Sequence, residues 1–290
     1  VQHLHQVPFL PIRFFKSHHV VSGIFQPEAG FESSGTTQTV PSRHFVKDLD
    51  LYIKSFTEGF EQVYGAVNNW CVIGLLPSYL ERNNSSLIVM VHEMIRRSNR
   101  SQSGFYLYDF DKLAKVLQEL EQRKQPVLLI GVTFALMDFA RAHPMQLRET
   151  IIMETGGMKG RKRELTRDEV HIELKQAFGD EKIHAEYGMT ELLSQAYSKG
   201  NGIFHCPPWM RVAVREEDDP LKVIMPWMIS ESKQQVAGVI NVIDLANIYS
   251  CSFIATDDMG RLYNNGAFEV LGRVDNSDMR GCSLMMLASV

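Results

Sequence analysis

The run Ser33-Ser34-Gly35-Thr36-Thr37 sets four hydroxyls around one glycine. Backbone N–H groups and hydroxyls in such a loop can wrap phosphate oxygens, although Ser, Thr and Gly also build ordinary turns. The nucleotide loop GxxxxGK[ST] is absent, so a kinase or GTPase has no support. A second segment, Tyr187-Gly188-Met189-Thr190-Glu191, follows a strand-like run, and strand ends are where open α/β sheets take ligands. Thr190 and Glu191 suit phosphate and Mg2+; Glu191 equally suits the start of a helix, where an acid favours the dipole. The third segment, Thr256-Asp257-Asp258-Met259-Gly260, offers Asp257 as an acceptor for both hydroxyls of a ribose. The fourth, Gly272-Arg273-Val274-Asp275, places an arginine where it could reach phosphate or ribose. A plain β-turn accounts for either of the last two.

Taken in order along one chain, SSGTT, YGMTE, TDDMG and GRVD resemble the adenylate-forming superfamily that includes the acyl-CoA synthetases and firefly luciferase. That resemblance implies ATP and Mg2+ as the reagents. The phosphate loop maps onto Ser33, Ser34, Gly35, Thr36 and Thr37, and the phosphate and Mg2+ contacts onto Thr190 and Glu191. Asp257 would bind ribose with Arg273 assisting, Gly156 and Gly157 would line the adenine pocket, and Tyr187, beside Gly188, would stack on the base. Three further stretches are similar to the acyl-protein synthetases of bacterial luminescence, the long-chain-fatty-acid–luciferin-component ligases. They are Pro8-Phe9-Leu10-Pro11 with Phe15-Lys16, Thr155-Gly156-Gly157-Met158-Lys159-Gly160, and Arg280-Gly281-Cys282. The resemblance implies activation of a long-chain fatty acid, Cys282 as the thiol that accepts the acyl group as a thioester, and a partner such as an acyl reductase or other acyl-acceptor protein. A small packed thiol is the ordinary reading of Cys282, and a tail position beside Gly281 favours exposure.

The chain departs from the superfamily at two points. Gln38 follows Thr37, and the next basic residue is Arg43, so Arg43, Lys159 or Lys162 would have to take over a phosphate-loop lysine. The usual C-terminal domain with its catalytic lysine is expected to be lacking, as it is in the short acyl-protein synthetases. The run Lys159, Arg161, Lys162, Arg163 could draw a triphosphate or simply form a solvated face. Two alternatives therefore stay open: a CoA ligase of the phenylacetate type, with Cys282 structural, and a degenerate nucleotide-binding protein without catalysis.

The elements that must position these segments follow from periodicity. Asp48 to Tyr64 has apolar residues close to helical spacing with Asp48 as N-cap, and Ser85–Arg97 and Asp109–Arg123 also read as helices. Cys71 to Leu76 is a short apolar run stopped by Pro77 and a strand candidate, Val127 to Gly131 reads as a buried parallel strand, and Thr150–Met153 is another strand, ending at Gly156-Gly157. Thr166 and Glu169 form a capping box for a helix through Phe178, and Lys182–Glu186 leads as a strand into Tyr187. Beyond Gly202 short apolar runs are broken by Pro, Gly, Asn and Asp, as in Met210–Val214, Val223–Met225, Val236–Ile243 and Phe253–Thr256. The expected architecture is an α/β part over 1–202 that holds nucleotide and acyl group, and a β-rich subdomain with a short tail over 203–290. In fold terms it is the parallel-rich N-terminal domain of an adenylate-forming enzyme plus a small distorted β-barrel. Leu87 to Ile95 and Val127 to Ile130 could line an apolar acyl pocket, or could be core.

Composition excludes other classes. With 290 residues, 44% hydrophobic, the chain can bury a sizeable core. A formal net charge of -4 argues against a nucleic-acid binder that depends on many phosphate contacts. No apolar run approaches the ~20 residues of a membrane span. The N-terminal stretch lacks a signal-type apolar region, and the cysteines Cys71, Cys206, Cys251 and Cys282 form no CxxC pair. Both points lead to an expectation of a reducing, cytoplasmic setting.

Overall fold

A computed structural model describes residues 3–33, 40–76, 84–107, 109–156, 165–179 and 183–274. Its strands fall into an α/β layer and an antiparallel layer, joined through a shared core.

The chain starts with a short strand β1 (Leu10–Pro11), helix α1 (Phe14–Ser17) and the hairpin β2 (Ala29–Glu32) and β3 (Arg43–Val46). The α/β layer follows: α2 (Leu49–Tyr64), β4 (Cys71–Leu75), α3 (Ser86–Ser98), β5 (Gly104–Phe105), α4 (Phe110–Gln122), β6 (Val127–Gly131), α5 (Thr133–Ala142), β7 (Thr150–Glu154), α6 (Arg167–Phe178), β8 (His184–Tyr187) and β9 (Ala196–Ser198). These strands form one sheet in the order β5-β4-β6-β7-β8-β9, parallel except for β9, which runs antiparallel to β8. Every residue of β4 and β6 is buried, which is why both read as unbroken apolar runs: a parallel strand is covered on both faces. The helices begin where their caps predict. Asp48, Ser85 and Asp109 each accept a backbone N–H from the third residue on, and Thr166 and Glu169 close a reciprocal capping box on α6.

The antiparallel layer contains β10 (Ile203–Phe204), β11 (Met210–Arg215), β12 (Val223–Ile224), β13 (Gln235–Asp244), β14 (Phe253–Tyr263) and β15 (Phe268–Arg273), ordered β10-β15-β14-β13-β11-β12. The N-terminal β1 joins it, pairing Leu10 with Ile254 in parallel, so the first residues of the chain belong to the sheet of its last third. One core lies among β4, β6, β7 and the helices around Phe56, Leu117 and Phe139. A second is shared between the layers, with Ala185, Tyr187, Leu192 and Ala196 packing against Phe204, Ile240, Ile254 and Phe268. Asp244, at the end of β13, locks the layers together. Its carboxylate accepts from Leu193 N, Ser194 N, Ser194 Oγ and Ala246 N at 2.6–3.0 Å. Among the described residues no helix is long and apolar enough to cross a membrane.

Val127 to Ile130 lie in the centre of the sheet with 0–1% exposure. They belong to the buried core of the sheet.

Candidate functional site

The carboxyl ends of β6, β7 and β8 lie side by side, and the chain leaves them through loops carrying the segments singled out above. After β7, Thr155 N and Oγ1 both donate to Gly131 O, and Thr133 N donates to Gly156 O at 3.0 Å. Gly156 has φ +77, in the left-handed region where a side chain is strained, so a glycine is needed for this exit. Below it, Glu154 is buried and held at both oxygens, by Thr133 Oγ1 (2.9 Å) and His171 Nε2 (3.0 Å). Burial opposes ionisation of Glu154, but His171, Arg167 and Thr133 together hold its carboxyl below the usual carboxylate range.

The hairpin β2–β3 carries the hydroxyl-rich loop. Ser33 N donates to Ser42 O and Ser42 N donates to Ser33 Oγ, at 3.0 and 2.9 Å, so Ser33 fastens the base of the loop. On β3, His44 is 1% exposed and reaches across to the YGMTE segment. Its Nδ1 lies 2.9 Å from the Thr190 carbonyl and its Nε2 2.9 Å from Ser250 Oγ. A carbonyl can only accept, so Nδ1 bears the hydrogen, and the Ser250 hydroxyl donates to Nε2. Burial lowers the His44 pKa, opposed by the Thr190 carbonyl and the charge of nearby Glu191, and the ring is neutral at pH 7. Glu191 has no exposed surface, and its carbonyl accepts from Asn247 Nδ2 at 2.7 Å.

A third junction joins β8, β14 and β15. The Tyr187 hydroxyl donates to Asp258 Oδ2 at 3.0 Å, and Arg273 Nε lies 3.1 Å from Asp258 Oδ1. Tyr187 is 8% exposed, with its ring against Phe268 and Phe204. Burial and the Asp258 carboxylate keep its hydroxyl protonated. Successive residues of a strand face opposite ways, so Asp257 points away from this junction and pairs instead with Arg13, at 3.2 Å, on an open surface.

Of the residues expected from sequence, Ser33, Gly156, Tyr187, Gly188, Thr190, Glu191, Asp257 and Arg273 are described. Tyr187 and Arg273 meet at Asp258 and Thr190 meets the hairpin through His44, whereas Asp257 lies within β14 and pairs with Arg13. Ser34, Gly35, Thr36, Thr37, Gly157, Lys159 and Cys282 lie outside the described residues. Sequence reading passed over His44 and Asp258. Asp258 had a signal: in an Asp-Asp pair on a strand, alternation turns one of the two inward. His44 had none, because its partners are 146 and 206 residues away. Two other cysteines are shielded: burial raises the Cys71 thiol and pushes Cys206 up to about 12, so neither is a ready nucleophile.

Among the described residues no group of three or more His, Cys, Asp or Glu could hold a metal ion unaided. A single carboxylate is nevertheless a sufficient protein donor for Mg2+, which takes its remaining oxygens from phosphates and water, and Glu191 is of that donor type.

No protein-family model matches the chain, and no curated protein matches it. Solved structures do. The chain is similar to a malonyl-CoA ligase, solved as a ternary product complex with methylmalonyl-CoA and AMP. That match has TM-score 0.56 and 16% identity, and covers 86% of this chain and 53% of that one. It is similar to O-succinylbenzoate coenzyme A synthetase from Bacillus subtilis in complex with ATP and magnesium ion, with TM-score 0.53, 16% identity, and coverage of 84% and 49%. It is also similar to the luciferase-like enzyme of the nonluminescent mealworm Zophobas morio, with TM-score 0.51, 15% identity, and coverage of 89% and 60%. The chain thus shares its fold with these solved structures and spans about half their length.

Proposed function

We propose that this chain activates a carboxylic acid with ATP, forming an acyl-adenylate. The observation that carries the reading is the convergence of its separated segments. His44 ties the hydroxyl-loop hairpin to Thr190, and Asp258 ties Tyr187 to Arg273. The hairpin, β14 and β15 thus meet the chain as it leaves the carboxyl end of β8, and strand ends are where open α/β sheets take their ligands.

In this reading a substrate carboxylate oxygen attacks the α-phosphorus of ATP, the bond to the bridging oxygen breaks, and pyrophosphate leaves with that electron pair. The chain contributes position and charge. Ser33 and the hydroxyl loop hold the β and γ phosphates, and Thr190 donates to phosphate. Mg2+ on Glu191 would neutralise the charge that builds on the leaving pyrophosphate. Gly156 and Gly157 leave room for adenine beside Tyr187. Asp258 sits with Arg273 at the nucleotide end and is the ribose acceptor; Asp257 is the alternative, separated from it by comparing Asp258→Asn with Asp257→Asn. Lys159 is the basic residue proposed to replace the phosphate-loop lysine.

The second half-reaction is attack by the Cys282 thiolate on the acyl carbon, with AMP leaving, to give a thioester that passes to an acyl-acceptor protein such as a reductase. The acid that the sequence resemblance implies is a long-chain fatty one. A CoA ligase of the phenylacetate type differs in sending the acyl group to CoA without Cys282.

The test is acid-dependent exchange of labelled pyrophosphate into ATP, with Cys282→Ala alongside. Exchange that survives the substitution while covalent acylation disappears supports both halves. Exchange with CoA-dependent product release and no effect of Cys282→Ala favours the CoA ligase. Absence of exchange across fatty, aromatic and amino-substituted acids, with nucleotide still bound, leaves a non-catalytic binding protein.

A further inference from the structure

β8 presents two faces. Tyr187 looks into the packed junction with Asp258, and Glu186, the residue before it, looks the other way, toward α2. On that face Glu186 sits directly across from Tyr197 of β9, a cross-strand pair with side chains in contact range. Gln195 reaches the same spot. A Cβ built on Gly188 would fall 2.2 Å from Glu186 Oε1 and 3.3 Å from Gln195 Cγ. The absent side chain of Gly188 therefore leaves room for the Glu186 carboxyl, and Gly188 is itself exposed.

The polar atoms of this cluster lack partners. The Tyr197 hydroxyl and Gln195 Oε1 are buried, in residues 2% and 5% exposed, and neither has a hydrogen bond among the described residues. Glu186 has no hydrogen bond and no ion pair among the described residues. Three neighbouring polar side chains are engaged. Tyr52 donates to Ser86 O, Tyr64 is bonded to His184 Nδ1, and the Lys199 ammonium lies over the Tyr64 ring. Buried polar atoms are nearly always paired, and leaving one unpaired costs on the order of 1–3 kcal/mol.

From this we infer that the acid activated by this protein carries a protonated amine on its tail, bound by Glu186, Gln195 Oε1 and Tyr197 at the mouth beside Gly188. The inference rests on the acid-activation reading and specifies its substrate class, replacing the plain fatty acid that the sequence resemblance implies. An alkyl tail would bury all three groups unpaired. An ammonium supplies three donors and the missing countercharge. Burial pushes the Glu186 carboxyl up to about 8, the behaviour of an acid with no cation beside it, and a bound ammonium would draw it back down.

The experiment uses the full chain with 6-aminohexanoate and hexanoate as probes, each measured by calorimetric binding and by pyrophosphate exchange, in the native protein and in Glu186→Leu and Gly188→Ala. The expected result is at least a tenfold preference for 6-aminohexanoate in binding and in exchange. Glu186→Leu should abolish or invert it, and Gly188→Ala should weaken it by closing the mouth. Equal or better use of hexanoate, unchanged by Glu186→Leu, overturns the inference and leaves acid activation standing. Glu186-dependent binding of 6-aminohexanoate without exchange of either acid supports the site and overturns activation of this acid. Neither binding nor exchange with 6-aminohexanoate, while another acid supports exchange, overturns the inference alone; no binding and no exchange with any acid overturns both.

Discussion

The two faces of β8 are one residue apart and are built on opposite terms. On the Tyr187 face each Asp258 carboxylate oxygen has its own partner, Tyr187 on one and Arg273 on the other. On the Glu186 face a carboxyl, a phenol and an amide oxygen have no hydrogen-bond partner among the described residues. A satisfied polar junction stiffens the molecule, whereas an unsatisfied one costs stability and is retained where a ligand completes it. The contrast separates the part of the site that must hold its shape from the part that awaits a substrate.

Truncating the satisfied face should have the largest effect. Asp258→Ala strands Arg273, 18% exposed, and is expected to destabilise by about 3–5 kcal/mol, read as a shift in the urea midpoint. Asp257→Ala in the same assay should move it far less; equal losses would mean that the junction is not the support it is taken to be. The unsatisfied face should respond in the opposite direction. Glu186 has a folded pKa raised to about 8 from an ordinary 4.5, so the folded state holds its proton more tightly than the unfolded chain. Stability is therefore undiminished below about pH 4.5 and falls as pH rises toward about 8. Glu186→Leu should remove that slope and stabilise the protein at pH 8.5 by on the order of 2 kcal/mol, with little change at pH 4, as urea titrations at the two pH values would show. A native protein whose stability has no Glu186-dependent slope would place the carboxyl in water.

Tyr187→Phe removes one donor to a charged acceptor and keeps the ring in its place against Phe204 and Phe268. About 1.5 kcal/mol is expected, with a larger loss in nucleotide binding if Asp258 must be oriented to meet ribose. Arg13→Ala breaks a pair whose arginine is 57% exposed and should cost less than about 1 kcal/mol. A larger loss, or one accompanied by weaker nucleotide binding, would move the ribose acceptor back to Asp257.

Much of the α/β layer could be read from the chain. The capped helices at Asp48, Ser85, Asp109 and Thr166 and the strands at Cys71, Val127 and Thr150 carry their own local signals: a side-chain acceptor before an amphipathic run, or an unbroken apolar run of strand length. The hairpin β2–β3, α5 and β15 escaped reading. The hairpin has only four residues per strand, too few for alternation to stand out, and α5 is mostly apolar with most of its residues buried, so no polar face marks its period. β1 could not have been read at all, since two residues become a strand only by pairing with Ile254 and Ala255.

The sequence by itself determined which chemistry was available. Hydroxyls around Gly35, a Thr-Glu after a strand, an Asp-Asp pair and a late arginine are properties of local composition, and so is the order in which they occur. Tertiary structure alone decided which of these groups work together. Strand alternation turned Asp258 inward to Tyr187 and Arg273 and sent Asp257 out to Arg13. His44 became the link between hairpin and Thr190 because β3 lies against the loop after β8. Glu186 became an unpaired acid because its cross-strand neighbour is Tyr197 rather than a cation. Local sequence sets the type of each side chain and the helix or strand it favours; its partner is set by packing between elements distant in the chain.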